Sequence, residues 1–412
     1  MQAENNKNDI RTLSFGCRLN SLEAEKIQSM LCGVINTAII INTCAVTAEG
    51  ERQSGQAVRK IARENPGVPL FVTGCAATRN PALFTEIADT VVIPNSEKLR
   101  LGAYTDAIAA MPCNFSGAQI VCFNHSTPKM SKQFIQVQNG CNHKCAYCVT
   151  RLLRGAAKSF DYRDILSEAH AAIRNGFAEI VLTGVDIASY AADGMLISDV
   201  CRALLRDEPG IRRLRLSSMD PASPEIFKIM DLMAQEPRMM RHMHLSMQSG
   251  SDTVLRSMGR RHSAALVKKI AEHGSAIGCT FSWDIICGFP GETDELWAQT
   301  MNLVRETRPI KVHAFPFSPR PDTPAFDMPH QIPRDISKKR VKEISETAAQ
   351  FRMEFMQRKR GQTVQVLVEE NNTARDQHDI AVKISSPEIP ARTVCDVILT
   401  DIKGDAFVAT AA

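Results

Sequence analysis

Residues 141–148 read CNHKCAYC, which places Cys141, Cys145 and Cys148 at C-x3-C-x2-C. A structural zinc takes four protein ligands, commonly from two well-separated cysteine pairs. No second pair follows here. His143 could supply a fourth ligand, but it lies inside the tight loop between Cys141 and Cys145, an awkward place from which to reach the same metal. Three thiolates and one open position suit an iron–sulfur cube whose fourth iron is left for a substrate or cofactor. A non-catalytic iron–sulfur or zinc protein that binds RNA is the alternative from a different class, and it has no use for a spare coordination position.

Three further cysteines share one topological position. TLSFGC, AIIINTC and PLFVTGC are apolar, strand-like runs that end at Cys17, Cys44 and Cys75, and each precedes a helix-like segment such as SLEAEKIQSML. This βαβα alternation predicts a parallel sheet with helices on its faces. Loops beyond the carboxyl ends of such strands converge on one edge, where ligands bind. Cys17, Cys44 and Cys75, 27 and 31 residues apart, are therefore expected to meet in space. Any one of them alone would read as an ordinary buried thiol.

The rest of the chain supplies the frame. Residues 112–133 read as a linker or hairpin. Strand candidates then recur at 134–140, 179–186, 213–218, 242–250, 280–290 and 310–317, with helical patterns between them, as in an open six-unit β/α barrel. The site of such a barrel lies at the C-terminal ends of its strands, where the cysteine triplet falls. In HMHLSMQSG, period-2 geometry puts His242, His244, Ser246 and Gln248 on one face and Met243, Leu245 and Met247 on the other, giving a polar lumen. Beyond Arg360, TVQVLVEE, DIAVKIS and TVCDVILTDI predict a small all-β module whose single aromatic, Phe407, is too little for a base-stacking platform. The expected class is α/β: a parallel-sheet domain over 1–115, a linker over 116–133, an open (β/α)6 barrel over 134–358 and an all-β module over 359–412.

Composition narrows the classes. The polar start MQAENNKNDIRT lacks a signal peptide's apolar core, and no stretch approaches 18 uninterrupted apolar residues, so a soluble, cytoplasmic protein is expected. Thirteen cysteines then favour metal or redox chemistry over disulfides, with those at 32, 113, 122, 201, 279, 287 and 395 reading as packing residues. A net charge of +4 does not imply nucleic-acid binding. Its distribution is uneven: residues 334–360 hold nine basic against four acidic residues, whereas 361–412 hold four against eight. That basic run and RSMGRRH at 256–262 suit either solvated helix faces or phosphate contacts.

Taken together, SFGCRLNSLEAE, INTCAVT, VTGCAA, QNGCNHKCAYC, LTGVDIASY, LRLSSMDP, HLSMQSG, DIICGFPGET and FPFSPRPDTPA resemble the methylthiotransferases, a branch of the radical S-adenosylmethionine enzymes. The all-β module stands where that family carries a TRAM domain. INTCAVT, LTGVDIASY and SPRPDTPA look most like the branch that modifies threonylcarbamoyladenosine beside the tRNA anticodon, with the isopentenyladenosine and ribosomal-protein branches as neighbours. The chain departs from the family pattern at VTRLLRG, which puts Thr150 and Arg151 where an Ile-Pro is usual, and it is short between Met30 and Ala38.

The resemblance implies that Cys141, Cys145 and Cys148 hold a 4Fe-4S cluster whose open iron binds S-adenosylmethionine. Cleavage of that cofactor would give a deoxyadenosyl radical that takes hydrogen from C2 of the adenine. Cys17, Cys44 and Cys75 would hold a second 4Fe-4S cluster bearing the sulfur to be methylated and delivered. Gly184, Asp186, Ser246, Gln248 and Gly288 are the expected S-adenosylmethionine pocket. Arg320 is the expected partner of the threonylcarbamoyl carboxylate, or else a surface arginine in a proline-rich loop. The implied partners are tRNA, an external electron donor and a sulfur source, with no membrane.

Overall fold

The computed structural model describes residues 9–35, 37–111, 131–385 and 387–412. The expected linker lies outside the described residues as far as residue 130, as do Cys113 and Cys122. The chain forms two compact units that do not follow sequence order: Met1–His125 with Gly140–Ala156 and Ser318–Phe326, and Ser126–Asn139 with Ala157–Phe317 and Asp327–Ala412.

The first unit is built on a four-stranded, all-parallel sheet in the order Asp9–Ser14, Thr37–Thr43, Leu70–Gly74, Thr90–Val92. The two inner strands are buried almost throughout, as in a parallel sheet covered on both faces. Alternate residues feed two cores. Ile39, Ile41, Leu70 and Val72 face one side, while Ala38, Ile40 and Phe71 join Ile27, Leu31 and Tyr104 on the other. Helices Arg18–Leu31 and Ala48–Glu64 follow the first two strands, and Thr47 starts the second of them by accepting from the Gly50 amide at 3.0 Å.

In the second unit, six parallel strands run Lys132–Gln136, Glu179–Thr183, Arg213–Leu216, His242–Gln248, Thr280–Cys287 and Lys311–Pro316. They form two three-stranded sheets, joined by parallel bridges Leu214–Met239 and Met219–Leu245. Among the described residues the first and last strands do not pair, so the barrel is open, as the sequence predicts. Met243, Leu245 and Met247 enter the core while His242, His244 and Ser246 stay half-buried, which matches the period-2 expectation up to Ser246; Gln248 is buried beyond a register shift, and there the alternation breaks. The outer helices present apolar stripes at helical spacing, for example Ile197, Val200, Cys201 and Leu204.

The all-β module closes as a five-stranded barrel in the order Thr363–Val368, Thr373–Asp376, Ala381–Ile384, Ala406–Ala411, Val394–Lys403. Phe407 is fully buried in its core, so the module's one aromatic is packing and not a stacking surface. Among the described residues no helix is long and apolar enough to cross a membrane.

Candidate functional site

Cys17, Cys44 and Cys75 each follow the last residue of a strand or its short turn. Cys17 is exposed and caps the helix Arg18–Leu31, Cys44 is buried, and Cys75 is buried at the start of Cys75–Arg79. Gly16 sets the approach of the first loop to the second. It has φ 90°, and an added Cβ would lie 2.4 Å from the Cys44 Sγ.

Buried polar side chains pin the strand ends. The Asn20 amide donates to the carbonyls of Phe15 at 2.9 Å and Thr43 at 3.0 Å. The Thr43 hydroxyl donates to the Thr73 carbonyl at 2.6 Å and accepts from the Ala77 amide at 3.0 Å. Neither residue stands out in the sequence, because its partners are distant along the chain.

The electrostatics around this triad favour a bound cationic group. Burial raises the pKa of Cys44, and the Cys17 and Cys75 sulfurs push the same way, whereas the Val46 amide and Arg320 push it down. Three thiolates therefore oppose one another's charge unless they share metal. Glu23 bonds both Lys98 at 2.6 Å and Arg154 at 2.8 Å. Burial alone would raise its pKa, but these two cations hold it below the usual carboxylate range. Two cations on one carboxylate leave positive charge beside Cys17 and Cys75, both of which act on Arg154.

Cys141, Cys145 and Cys148 are half-buried. The Cys141 amide donates to the Gly155 carbonyl at 3.1 Å, and the His143 amide to Cys141 Sγ at 3.4 Å. The ligand atoms of Cys141 and His143 lie within 4.8 Å of each other, so the histidine is nearer to a shared metal than its tight loop suggests. The unusual Thr150 heads the helix Thr150–Arg154, and its hydroxyl and amide lie 3.2 and 3.4 Å from Cys148 Sγ.

Two links join the cysteine loops within this unit. Asn95 donates to the Leu153 carbonyl at 2.9 Å and approaches Cys75 Sγ at 3.8 Å. The segment Ser318–Phe326 receives the Ala48 amide on Ser318 Oγ at 3.3 Å, and its Ala325 amide reaches the Ala146 carbonyl at 2.9 Å. Arg320, in that segment, is not a surface arginine: its side chain is 3% exposed and Nη2 is ion-paired with Glu51.

In the barrel unit, Gly184 and Asp186 meet at Gln138, whose side-chain oxygen accepts the amides of Val185 at 3.1 Å and Asp186 at 2.8 Å. Asp186 is buried. Protein atoms already fill the space a Cβ would need at two expected pocket glycines. The Gln138 carbonyl would be 2.7 Å away at Gly184, and Ser337 Oγ 2.0 Å away at Gly288. Gln248 is buried at φ 70°, beside a strand irregularity. Ser246 meets Arg260, which donates to its carbonyl at 2.8 Å and pairs with Asp220 at 3.0 Å. Arg261 pairs with Asp220 as well, so the basic run at 256–262 is partly committed inside the fold.

The lumen also carries a hydrogen-bonded chain that one assignment of tautomers satisfies in a single direction. Thr280 donates to His242 Nδ1 at 2.8 Å, His242 Nε2 to Ser282 at 3.0 Å, Ser282 to His244 Nδ1 at 2.7 Å, and His244 Nε2 to Asp284 at 3.0 Å. Period-2 alternation in TFSWDIIC is the sequence signal that could have paired Ser282 and Asp284 with this face.

An open β/α barrel joined to a sheet unit that gathers six cysteines in two triads defines a radical S-adenosylmethionine enzyme with an added cysteine-rich unit. Residues 135–304 match the Radical SAM superfamily, and residues 9–93 match the Uncharacterized protein family UPF0004. Threonylcarbamoyladenosine tRNA methylthiotransferase MtaB of Rickettsia prowazekii (strain Madrid E) is 38% identical over 391 residues, covering 92% of each chain. Its counterpart in Chlamydia pneumoniae is 32% identical over 88% of this chain and 87% of that one. The tRNA-2-methylthio-N(6)-dimethylallyladenosine synthase of Streptomyces griseus subsp. griseus is 29% identical over 89% of this chain and 77% of its own. Among solved structures, the radical S-adenosylmethionine methyltransferase TsrM from Kitasatospora setae shares the fold at TM-score 0.55 and 15% identity, over 75% of this chain and 67% of that one. The chain belongs to the family of the threonylcarbamoyladenosine tRNA methylthiotransferases MtaB.

Proposed function

We propose that this enzyme adds a methylthio group to C2 of N6-threonylcarbamoyladenosine, beside the anticodon of tRNA, using two 4Fe-4S clusters and S-adenosylmethionine. The observation that carries this reading is the gathering of two cysteine triads into one compact unit, in a chain 38% identical to an MtaB over 92% of its length. Cys141, Cys145 and Cys148 are the proposed ligands of the cluster that binds S-adenosylmethionine, and Cys17, Cys44 and Cys75 of the cluster that carries sulfur. When bound, these groups supply the electron, the radical and the sulfur that no side chain can provide.

The protein's own part is geometry and charge. Asn20 and Thr43 fix the strand ends, while Glu23 with Lys98 and Arg154 places positive charge beside thiolates. Gly184, Asp186, Ser246, Gln248 and Gly288 are proposed to bind S-adenosylmethionine. tRNA is the macromolecular substrate, and an electron donor and a sulfur source complete the set.

The test is nucleoside mass spectrometry. Anaerobically reconstituted enzyme is given tRNA carrying threonylcarbamoyladenosine or tRNA carrying isopentenyladenosine. The expected product is the methylthio derivative of the first alone. Methylthiolation of the second, or cleavage of S-adenosylmethionine that leaves threonylcarbamoyladenosine unchanged, overturns the substrate.

A further inference from the structure

Arg320 was expected to present its guanidinium fork to a substrate carboxylate. In the structure Glu51 takes Nη2, and Glu51 is itself held by Arg79 at 3.2 and 2.9 Å, so this carboxylate serves two guanidinium groups. Arg320 Nε is buried and has no hydrogen-bond partner among the described residues. Leaving a buried donor unpaired costs on the order of 1–3 kcal/mol, and more when it is charged, so such a group signals something that binds there.

The backbone at Arg320 is fixed, because the amide and hydroxyl of Thr323 both donate to its carbonyl, at 3.0 and 2.8 Å. The segment starts at Ser318, held to Ala48 at 3.3 Å just past Cys44. Arg320 is moreover a cation whose charge acts on Cys44. The unpaired donor therefore sits in the surroundings of the Cys17, Cys44 and Cys75 triad.

We propose that Arg320 Nε is a donor to an anionic sulfur held at that triad. The shared chemistry is a soft anion that accepts a charge-assisted hydrogen bond. Its source is either the cluster's own sulfur or an exogenous hydrosulfide or thiolate bound to the open iron. The inference rests on the reading that this triad holds a cluster. It does not depend on which nucleoside is modified.

The test uses full-length, reconstituted protein without tRNA. Iron content is checked first, because two clusters give roughly eight irons per chain; wild type holding only roughly four means the triad binds no cluster, and the proposal falls with that reading. Electron paramagnetic resonance then follows the cluster signal that S-adenosylmethionine does not perturb, during reductive titration and during titration with sodium hydrosulfide.

Arg320→Lys keeps the charge but loses Nε. A lowered reduction potential in this variant assigns the donor to the cluster's own sulfur. An unchanged potential with hydrosulfide binding weakened about tenfold assigns it to the exogenous sulfur. Unchanged potential and binding overturn the proposal. Glu51→Gln breaks the ion pair but leaves Nε in place, so losses equal to those of Arg320→Lys assign the effect to the ion pair and also overturn it. Should Arg320→Lys take up no second cluster, 15N-arginine-labelled wild type decides: a nitrogen hyperfine coupling to that cluster which Glu51→Gln retains supports the donor, and its absence from wild type rejects it.

Discussion

Gly16 limits how closely the first cysteine loop can approach the second. Its φ of 90° disfavours any side chain, and a Cβ would stand 2.4 Å from Cys44 Sγ. Gly16→Ala is expected to lose the cluster at Cys17, Cys44 and Cys75 and keep the other. Iron after anaerobic reconstitution should fall from roughly eight to roughly four per chain, with deoxyadenosine formation partly retained. A full iron complement in this variant would show that the Cys17 and Cys44 loops accommodate the added methyl and that Gly16 does not limit the triad.

His262 carries a second residue-scale expectation. Its side chain is fully buried, and burial together with Arg260 lowers its pKa from 6.5 to about 4. A histidine kept neutral in the fold contributes stability that is complete above the unfolded pKa. That stability is lost as pH falls through the folded value. Unfolding free energy should thus decline between pH 6.5 and 4, by on the order of 3 kcal/mol for this one group. Urea titrations at several pH values should show a shallower decline for His262→Gln. Cysteine positions were legible in sequence because strand ends announce themselves. Asn20, Thr43 and Asn95 were not, because a buried amide or hydroxyl matters through partners that only the fold brings near.

At the scale of elements, the helix Arg334–Lys359 separates what a charge count merges. Arg340 is buried, pairs with Glu292 at 2.9 Å and Asp294 at 2.8 Å, and lies over the Trp297 ring. It belongs to the fold and is removed from the expected RNA-facing charges. Lys338, Lys339 and Lys342 are exposed. Neutralising these three to Gln should weaken tRNA binding and flatten its log–log salt dependence, by up to about 0.9 for each phosphate that no longer meets a cation. An unchanged slope returns this helix to a solvated face. The six barrel strands were readable because each pairs an apolar run with a turn signal. Thr90–Val92, Thr373–Asp376 and Ala406–Ala411 were missed, since TVV is only three residues long and TARD and an alanine-rich end carry too little alternation to register.

At the scale of the molecule, contiguous reading reaches its limit. Gly140–Ala156 and Ser318–Phe326 group with the N-terminal sheet although in sequence the first lies between barrel strands and the second between the last barrel strand and the helix Arg334–Lys359. Nothing in hydrophobic period reports such an exchange, which arises from packing between segments far apart in the chain. Within the second unit, the barrel and the all-β module are joined by another feature invisible to pattern reading. Glu179 is fully buried and pairs with Arg213 at 2.6 Å, Arg215 at 2.9 Å and Lys132 at 3.5 Å. Those cations reach onward to the module: Arg213 to the Asp376 carbonyl at 2.8 Å, Arg215 to the Gln377 carbonyl at 3.3 Å, and Lys132 to Asp379 at 2.8 Å. Burial would raise the pKa of Glu179, but Arg215, Lys132 and Arg213 hold it at about 2. Removing this one carboxylate takes the ion-pair partner from buried Arg213 and Arg215 while Lys132 keeps Asp379, and breaking a buried pair from one side typically costs about 3–5 kcal/mol. Glu179→Gln should therefore lower unfolding free energy by that order and expose the junction near Lys359 to trypsin. Glu346→Gln, which breaks an exposed pair with Lys342, should change stability by less than about 1 kcal/mol. Equal stability of the two variants would mean that the module is held to the barrel by apolar packing, with the charges incidental.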